Sequence, residues 1–250
     1  MTEQSWTAVL RPARDMRRGR VVAMAHSGSG PNTLLPLLRR LPAGLEVAGV
    51  TLPGRERRFG EDLEVLDNPD HAVSVVLEEL RAAPPLPTVL FGHSMGAVFA
   101  AALTLAAPEL CQGLVLSAHP APESRARQAR EWTEADLLGI LKLGGGTPAE
   151  FLNDPLLREH VLGVLRCDLT LGHHLTVSIA GRELPVAPTV LGGADDELVP
   201  PADLGQWSTR AVLRPRLFPG GHFYLLDKAN QDAVAAEIAA AFPLPVGGAL

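Results

Sequence analysis

A chain of 250 residues, 46% hydrophobic, is long enough for one α/β domain with an insertion and a large core. Its 22 basic and 28 acidic side chains give a net charge of −6, which argues against nucleic-acid binding and against electrostatic attachment to a membrane. Two distant cysteines, Cys111 and Cys167, exclude a disulfide framework, and neither a signal peptide at MTEQSWTAVL nor an apolar stretch of ~18 residues is apparent, so a soluble cytoplasmic protein is expected.

Residues 1–20 hold Trp6 and a basic cluster, Arg11, Arg14, Arg17, Arg18 and Arg20. The expectation is a solvated edge hairpin or arm, with a docking surface for an acidic partner as the alternative. Arg20–Ala25 reads as a buried strand. It enters a small-residue turn, His26-Ser27-Gly28-Ser29-Gly30, and a helix is predicted over Pro31–Leu41, with Leu34, Leu37, Leu38 and Leu41 on one face. Glu46–Leu52 is the next strand, followed by the polar loop Pro53–Gly60. Pro69–Ala83 is helical, with Val73, Val76, Leu77 and Leu80 spaced for burial, and Pro84-Pro85 ends it.

Thr88–Phe91 is a short buried strand, and Ala97–Ala107 an Ala-rich helix. Between them stands Gly92-His93-Ser94-Met95-Gly96. Strand, G-x-S-x-G, helix is the setting of a nucleophile elbow. Glycine at 92 and 96 removes side chains that would collide in so sharp a turn. Ser94 would sit at the amino end of a helix, whose unpaired N–H groups favour negative charge.

Gly113–Ser117 is another strand, followed by Ala118-His119-Pro120-Ala121-Pro122. Residues 123–182 then break the strand–helix rhythm. Thr133 with Asp136, Thr147-Pro148-Ala149-Glu150 and Asp154-Pro155 mark three helix starts, and Gly144-Gly145-Gly146 separates the first two. A parallel crossover needs only one helix, so three without a strand read as an inserted lid. Pro188–Leu191 and Arg216–Phe218 are the remaining strands. The first ends in Gly193-Ala194-Asp195-Asp196, the second in Pro219-Gly220-Gly221-His222, and Asn230–Phe242 is a closing helix before a loose tail.

Ser94, then Asp195 or Asp196, then His222 is the chain order of the triad in the α/β-hydrolase fold: a mostly parallel sheet with helices on both faces, here with a helical lid insertion in a single domain. Each candidate follows a strand, where a parallel sheet gathers its active site. A serine hydroxyl is a poor nucleophile until an imidazole takes its proton, and the imidazole needs a carboxylate to fix its tautomer. No aspartate follows Gly113–Ser117, where some hydrolases of this fold place the acid. His26 and His93 flank the site and are read as shaping hydrogen bonds. His173-His174 lacks companions at ligand spacing, so no metal is expected and a polar helix end is predicted there; Cys111 and Cys167 look like core thiols.

Together these residues resemble the type II, or editing, thioesterases of polyketide and nonribosomal peptide assembly lines, over nearly the whole chain. The family's F-P-H-A-G-G loop corresponds to Met24–Ser29, P-G-R-E-x-R-F to Pro53–Phe59, L-F-G-H-S-M-G to Leu90–Gly96, an A-P pair to Ala121-Pro122, L-G-G-T-P to Leu143–Pro148 with an extra glycine, and F-P-G-G-H-F to Phe218–Phe223. Departures are Ala25 and Ser27 in the first loop, and Leu169 and His173-His174 where lids of the family carry aromatic residues. The resemblance to such acid loops selects Asp196, three residues before Val199-Pro200, and leaves Asp195 as a loop charge.

The resemblance implies an oxyanion hole made by the backbone N–H groups of Ser27 and Met95. It implies hydrolysis of acyl thioesters carried on the phosphopantetheine arm of acyl or peptidyl carrier proteins, clearing stalled or misprimed units during antibiotic biosynthesis. No cofactor is expected, since phosphopantetheine belongs to the substrate, and a monomer is expected. Carriers are acidic, so docking would use Arg55, Arg57 and Arg58, or Arg125, Arg127 and Arg130. The competing readings are a small-ester carboxylesterase of the same fold, a non-catalytic carrier-binding scaffold, and acyl transfer to an acceptor other than water.

Overall fold

The computed structural model describes residues 4–14, 16–125, 131–144 and 149–243. Its strands are β1 (Thr7–Arg11), β2 (Gly19–Met24), β3 (Leu45–Val50), β4 (Thr88–His93), β5 (Gly113–Ser117), β6 (Thr189–Gly193) and β7 (Arg216–Phe218). They form one sheet in the order β1-β3-β2-β4-β5-β6-β7. β1 runs antiparallel to β3, and every other pairing is parallel.

Strands buried on both faces read as unbroken apolar runs because successive side chains serve opposite cores. Val22, Met24, Leu90, Leu114 and Leu116 pack with helices α2 (Pro69–Ala82) and α3 (Met95–Ala106) on one side. Val21, Ala23, Val89, Phe91 and Val115 pack with α1 (Leu35–Leu38) and α8 (Lys228–Ala240) on the other.

The helix predicted over 31–41 is shorter. A 3₁₀ turn at Pro31–Leu34 gives way to the single turn of α1. Pro36 has no N–H to close a bond onto Asn32, so an α-helical ladder is interrupted there at a cost of about 3 kcal/mol. The four leucines are nevertheless all buried.

The amino-terminal segment also departs from a solvated arm. It supplies the edge strand β1, and Trp6 is 1% exposed. The Glu79 carboxylate accepts the N–H groups of Trp6 and Thr7, at 2.7 and 2.6 Å. Arg20 is buried and donates to Glu46 at 2.6 Å, while Arg11 donates to the carbonyls of Leu41, Pro42 and Leu45. Arg14, Arg17 and Arg18 are exposed, as expected of a solvated charge run.

Between β5 and β6 lie α4 (Pro122–Arg125), α5 (Glu134–Gly144), α6 (Ala149–Asn153) and α7 (Pro155–Ile179), with no strand among the described residues. Thr133 and Asp136 cap α5 reciprocally, at 3.1 and 3.2 Å. Asp154 caps α7 by accepting the N–H groups of Leu156 and Leu157. The glycine run Gly145-Gly146 and the Thr147-Pro148 start lie outside the described residues, as does the tail beyond 243.

Twenty-five residues make α7 about 37 Å long. Leu171, Leu175 and Ile179 join the main core, and α7 packs against α3 as a crossover helix would. Leu162 and Leu165 instead form a separate small cluster with Leu137 of α5, flanked by Trp132, Ile140 and Leu169. His173-His174 is not at a helix end, because α7 continues to Ile179. No helix among the described residues is long and apolar enough to cross a membrane.

Candidate active site

Ser94 links the last residue of β4 to the first of α3 with φ 55° and ψ −121°, a backbone region that side chains disfavour. The tightness of the turn explains its glycines. A Cβ at Gly92 would lie 1.9 Å from the carbonyl oxygen of Gly96, and one at Gly96 would lie 2.2 Å from that of Met24.

The loop after β7 brings His222 to Ser94, with Nε2 2.9 Å from Oγ. On the other side of the ring, Nδ1 lies 2.8 Å from Oδ2 of Asp196. A carboxylate only accepts, so Nδ1 carries the proton and Nε2 is left to accept from the serine hydroxyl. The second oxygen of Asp196 takes the N–H groups of Leu198 and Val199, both at 2.9 Å, which locks the carboxylate plane. Asp195 is exposed, and it ties the two loops together by accepting the N–H of Gly220 at 3.2 Å. Of the two aspartates, the geometry brings Asp196 to the histidine.

His26 and His93 stand behind this group, with ring centroids 5.7 Å apart, and His93 is 5.1 Å from His222. His26 Nε2 pairs with Ser29 Oγ at 2.8 Å. His93 Nδ1 pairs with Ser117 Oγ, itself 2.8 Å from the Tyr224 hydroxyl. Burial, reinforced by His222, pushes His26 down to about 3 and His93 well below its usual range, so both rings are neutral at physiological pH. Consistently, one nitrogen on each ring is buried without a partner among the described residues.

This has a consequence for stability. Below about pH 6.5 the unfolded chain binds protons on these two imidazoles and the folded chain does not, so stability falls as pH falls, by about 1.4 kcal/mol per pH unit per ring. Urea unfolding between pH 7.5 and 5 is expected to show this acid loss, and His93→Gln is expected to flatten the slope by one proton. An unchanged slope in that variant would place the acid sensitivity elsewhere.

A cavity of about 330 Å³ opens beside Ser94. Ser27, Met95 and His222 form its reactive end, and Trp132, Ile140 and Leu169 its apolar wall. His173 also faces it from α7. Met95 is the first residue of α3, so its N–H has no intrahelical partner and is available to an oxygen in the cavity. A second groove, of about 370 Å³, lies near the amino ends of β2 and β4, among Arg20, Pro84, Pro87 and Thr88, and brings no base to a nucleophile.

The Pro53–Phe59 loop does not form the expected docking face. Arg55 and Arg58 are buried. Arg55 makes a two-pronged ion pair with Asp168 of α7, at 2.5 and 2.7 Å. Arg58 lies over the Trp6 ring at 4.6 Å and pairs with Glu61. Arg57 is exposed, but it donates to the carbonyl of Trp6 at 2.9 Å. The alternative set lies outside the described residues: Arg127 and Arg130 entirely, and Arg125 in its side chain.

Sequence reasoning missed Asp168, Ser117 and Tyr224. Asp168 had a signal, since it occupies the apolar stripe of its helix, between Leu165 and Leu171, where an unpaired charge would be costly.

Residues 20–242 match the family described as Thioesterase domain. The chain belongs to the thioesterase family. It is 31% identical over 232 residues to the "Probable cadicidin biosynthesis thioesterase" of Streptomyces griseus, covering 89% of this chain and 62% of that protein. It is 26% identical over 217 residues to the "Gramicidin S biosynthesis protein GrsT" of Aneurinibacillus migulanus, covering 83% of each. The type II thioesterase BorB from the borrelidin biosynthetic cluster superposes with a TM-score of 0.75 at 27% identity, covering 95% of this chain and 99% of that one. The sheet and its helices are those of the α/β-hydrolase fold, and this thioesterase is a serine-type thioester hydrolase.

Proposed function

We propose that the chain hydrolyses acyl groups from the phosphopantetheine arm of carrier proteins and so clears stalled or misprimed units in polyketide or nonribosomal peptide biosynthesis, with Ser94, His222 and Asp196 as its triad. The hydrogen-bonded run from Ser94 Oγ through His222 to Asp196, at 2.9 and 2.8 Å beside a largely apolar cavity, carries this reading. The names of the relatives supply the pathway class.

Ser94 Oγ attacks the thioester carbonyl while His222 Nε2 takes its proton. The N–H groups of Ser27 and Met95 hold the developing oxyanion, aided by the amino end of α3. Asp196 stabilises the imidazolium, which returns its proton to the departing sulfur. A thiol of pKa ~8.5 leaves readily, so this step asks little of the acid. Water then attacks the acyl-enzyme with His222 as base, releasing the acid and restoring the Ser94 hydroxyl. These steps call for no cofactor. The described part of the insertion, α5 and the first half of α7 with their small apolar cluster, would roof the acyl chain.

Hydrolysis of acyl-pantetheine thioesters and matched oxygen esters, over a series of chain lengths and on carrier conjugates, tests the reading. Higher kcat/KM for the thioesters, and higher still on carrier conjugates, is expected. Preference for oxygen esters would replace it with a carboxylesterase.

A further inference from the structure

We infer that Asp168, acting with Arg55, is a positioning residue that fixes the loop carrying the Ser27 N–H, so that helix α7 and the oxyanion loop are joined as one unit. The inference rests on the triad and oxyanion reading above.

The loop is a hydrogen-bonded turn: the Ser29 N–H donates to the His26 carbonyl at 3.1 Å, and Gly28 has φ +83°. Ser27 and Gly28 are its two central residues, and the positive φ at Gly28 is the third-position geometry of a type II turn. Such turns have a competing arrangement, in which the central peptide flips. Asp168 decides between them. Its Oδ2 accepts the N–H of Gly28 at 2.7 Å. Flipping that peptide would turn the Ser27 carbonyl oxygen toward a buried carboxylate. The flip rotates only the Ser27–Gly28 peptide, so Asp168 acts by pinning the carboxyl side of Ser27, the residue whose own N–H is offered to the oxyanion.

The carboxylate is itself held. Both of its oxygens pair with Arg55, whose Nη1 also donates to the Ser29 carbonyl at 3.3 Å and whose Nε and Nη2 donate to Pro53. Adjacent Glu56, with φ 48°, accepts the Asn32 N–H at 2.9 Å, in the 3₁₀ turn that follows the loop. Asp168 has no exposed surface and does not line the cavity. Its neighbours in α7 do, since Leu169 and Gly172 form part of the acyl-chain wall. The helix that shapes the acyl chamber therefore also orients the loop proposed to hold the oxyanion.

The test uses the double variant Arg55→Met/Asp168→Leu, because removing one partner alone would strand a buried charge, whereas replacing both by apolar groups is often neutral for stability. Asp168→Asn is the second variant; it keeps the volume but leaves the buried Arg55 charge uncompensated, so its urea unfolding is measured alongside its kinetics. For either folded variant, kcat on an acyl-pantetheine is expected to fall by about 10- to 100-fold, with KM within about threefold. Affinity for a trifluoromethyl ketone analogue, whose adduct with Ser94 places an oxyanion in the hole, should fall by the same factor. Affinity for the carboxylic acid product should hold. Wild-type kcat, or lowered kcat with undiminished ketone affinity, overturns the inference. Failure of the underlying reading is separable: Ser94→Ala would then retain turnover, whatever the two variants do.

Discussion

Ser94→Ala is expected to lower kcat for thioester hydrolysis by about 10⁴-fold or more, with the fold intact. Alanine fits the site sterically, since among the described residues the hydroxyl hydrogen-bonds to His222 and removing it adds no bulk. The backbone supplies a second, opposite readout. Ser94 holds φ 55° and ψ −121°, a conformation costing a side-chain-bearing residue of order 1–3 kcal/mol. Glycine tolerates it, although it adds freedom to the unfolded chain worth about 0.4–1 kcal/mol. Ser94→Gly is therefore expected to be inactive and yet to unfold at higher urea than Ser94→Ala, by about 1 kcal/mol. Parallel denaturation curves and single-turnover assays measure both. Residual wild-type turnover in either variant would remove Ser94 from the mechanism; equal stability of the two would mean that the strain is relieved elsewhere.

Asp196→Asn is expected to cost a further-reaching loss than its size suggests, about 10⁴-fold in kcat with KM nearly unchanged. Oδ1 of Asp196 accepts two backbone N–H groups, from Leu198 and Val199. An asparagine must keep its carbonyl oxygen there, so its NH₂ turns toward His222 Nδ1. Two donors cannot share that contact, and the imidazole proton moves to Nε2. The ring then meets Ser94 as a donor and cannot take its proton. Nitrogen NMR of the imidazole should show the tautomer switch together with the loss of rate. A rate within tenfold of wild type, with the tautomer unchanged, would assign the orienting role to another group.

The meeting of Ser94, Asp196 and His222 was legible from the chain because each follows an apolar run, and a parallel sheet places all such positions along one rim. Strands β2 to β7 match their expected ranges within a residue or two for the same reason. β1 was not legible as a strand: Thr7–Arg11 is short, lies at an edge and is flanked by arginines, so it carries no two-sided burial pattern. Over 31–41 the leucine spacing signals burial on one face, which a 3₁₀ turn and a single α turn satisfy as well as a longer helix would, while Pro36 interrupts the helix itself. Choosing between Asp195 and Asp196 required family resemblance, since adjacent carboxylates share every local signal. The roles of Arg55 and Arg58 were misread for a related reason. Charge in a loop looks solvated in sequence, and the partners that bury it, Asp168 and Trp6, lie far away along the chain. Ser117 and Tyr224 likewise become a hydrogen-bonding pair only when β5 is set beside the loop after β7.

The two margins of the sheet are finished differently. At one, the register of β1 slips between Val9 and Arg11, and Arg11 turns aside to satisfy carbonyls of the neighbouring segment. At the other, β7 is three residues long, and Arg216 is paired with Glu237. Neither margin offers a straight run of free amides onto which a second chain could extend. The fold thus carries its own guard against fibre-like stacking, and truncating the chain before Arg11 would expose β3 as a new, unprotected template for aggregation.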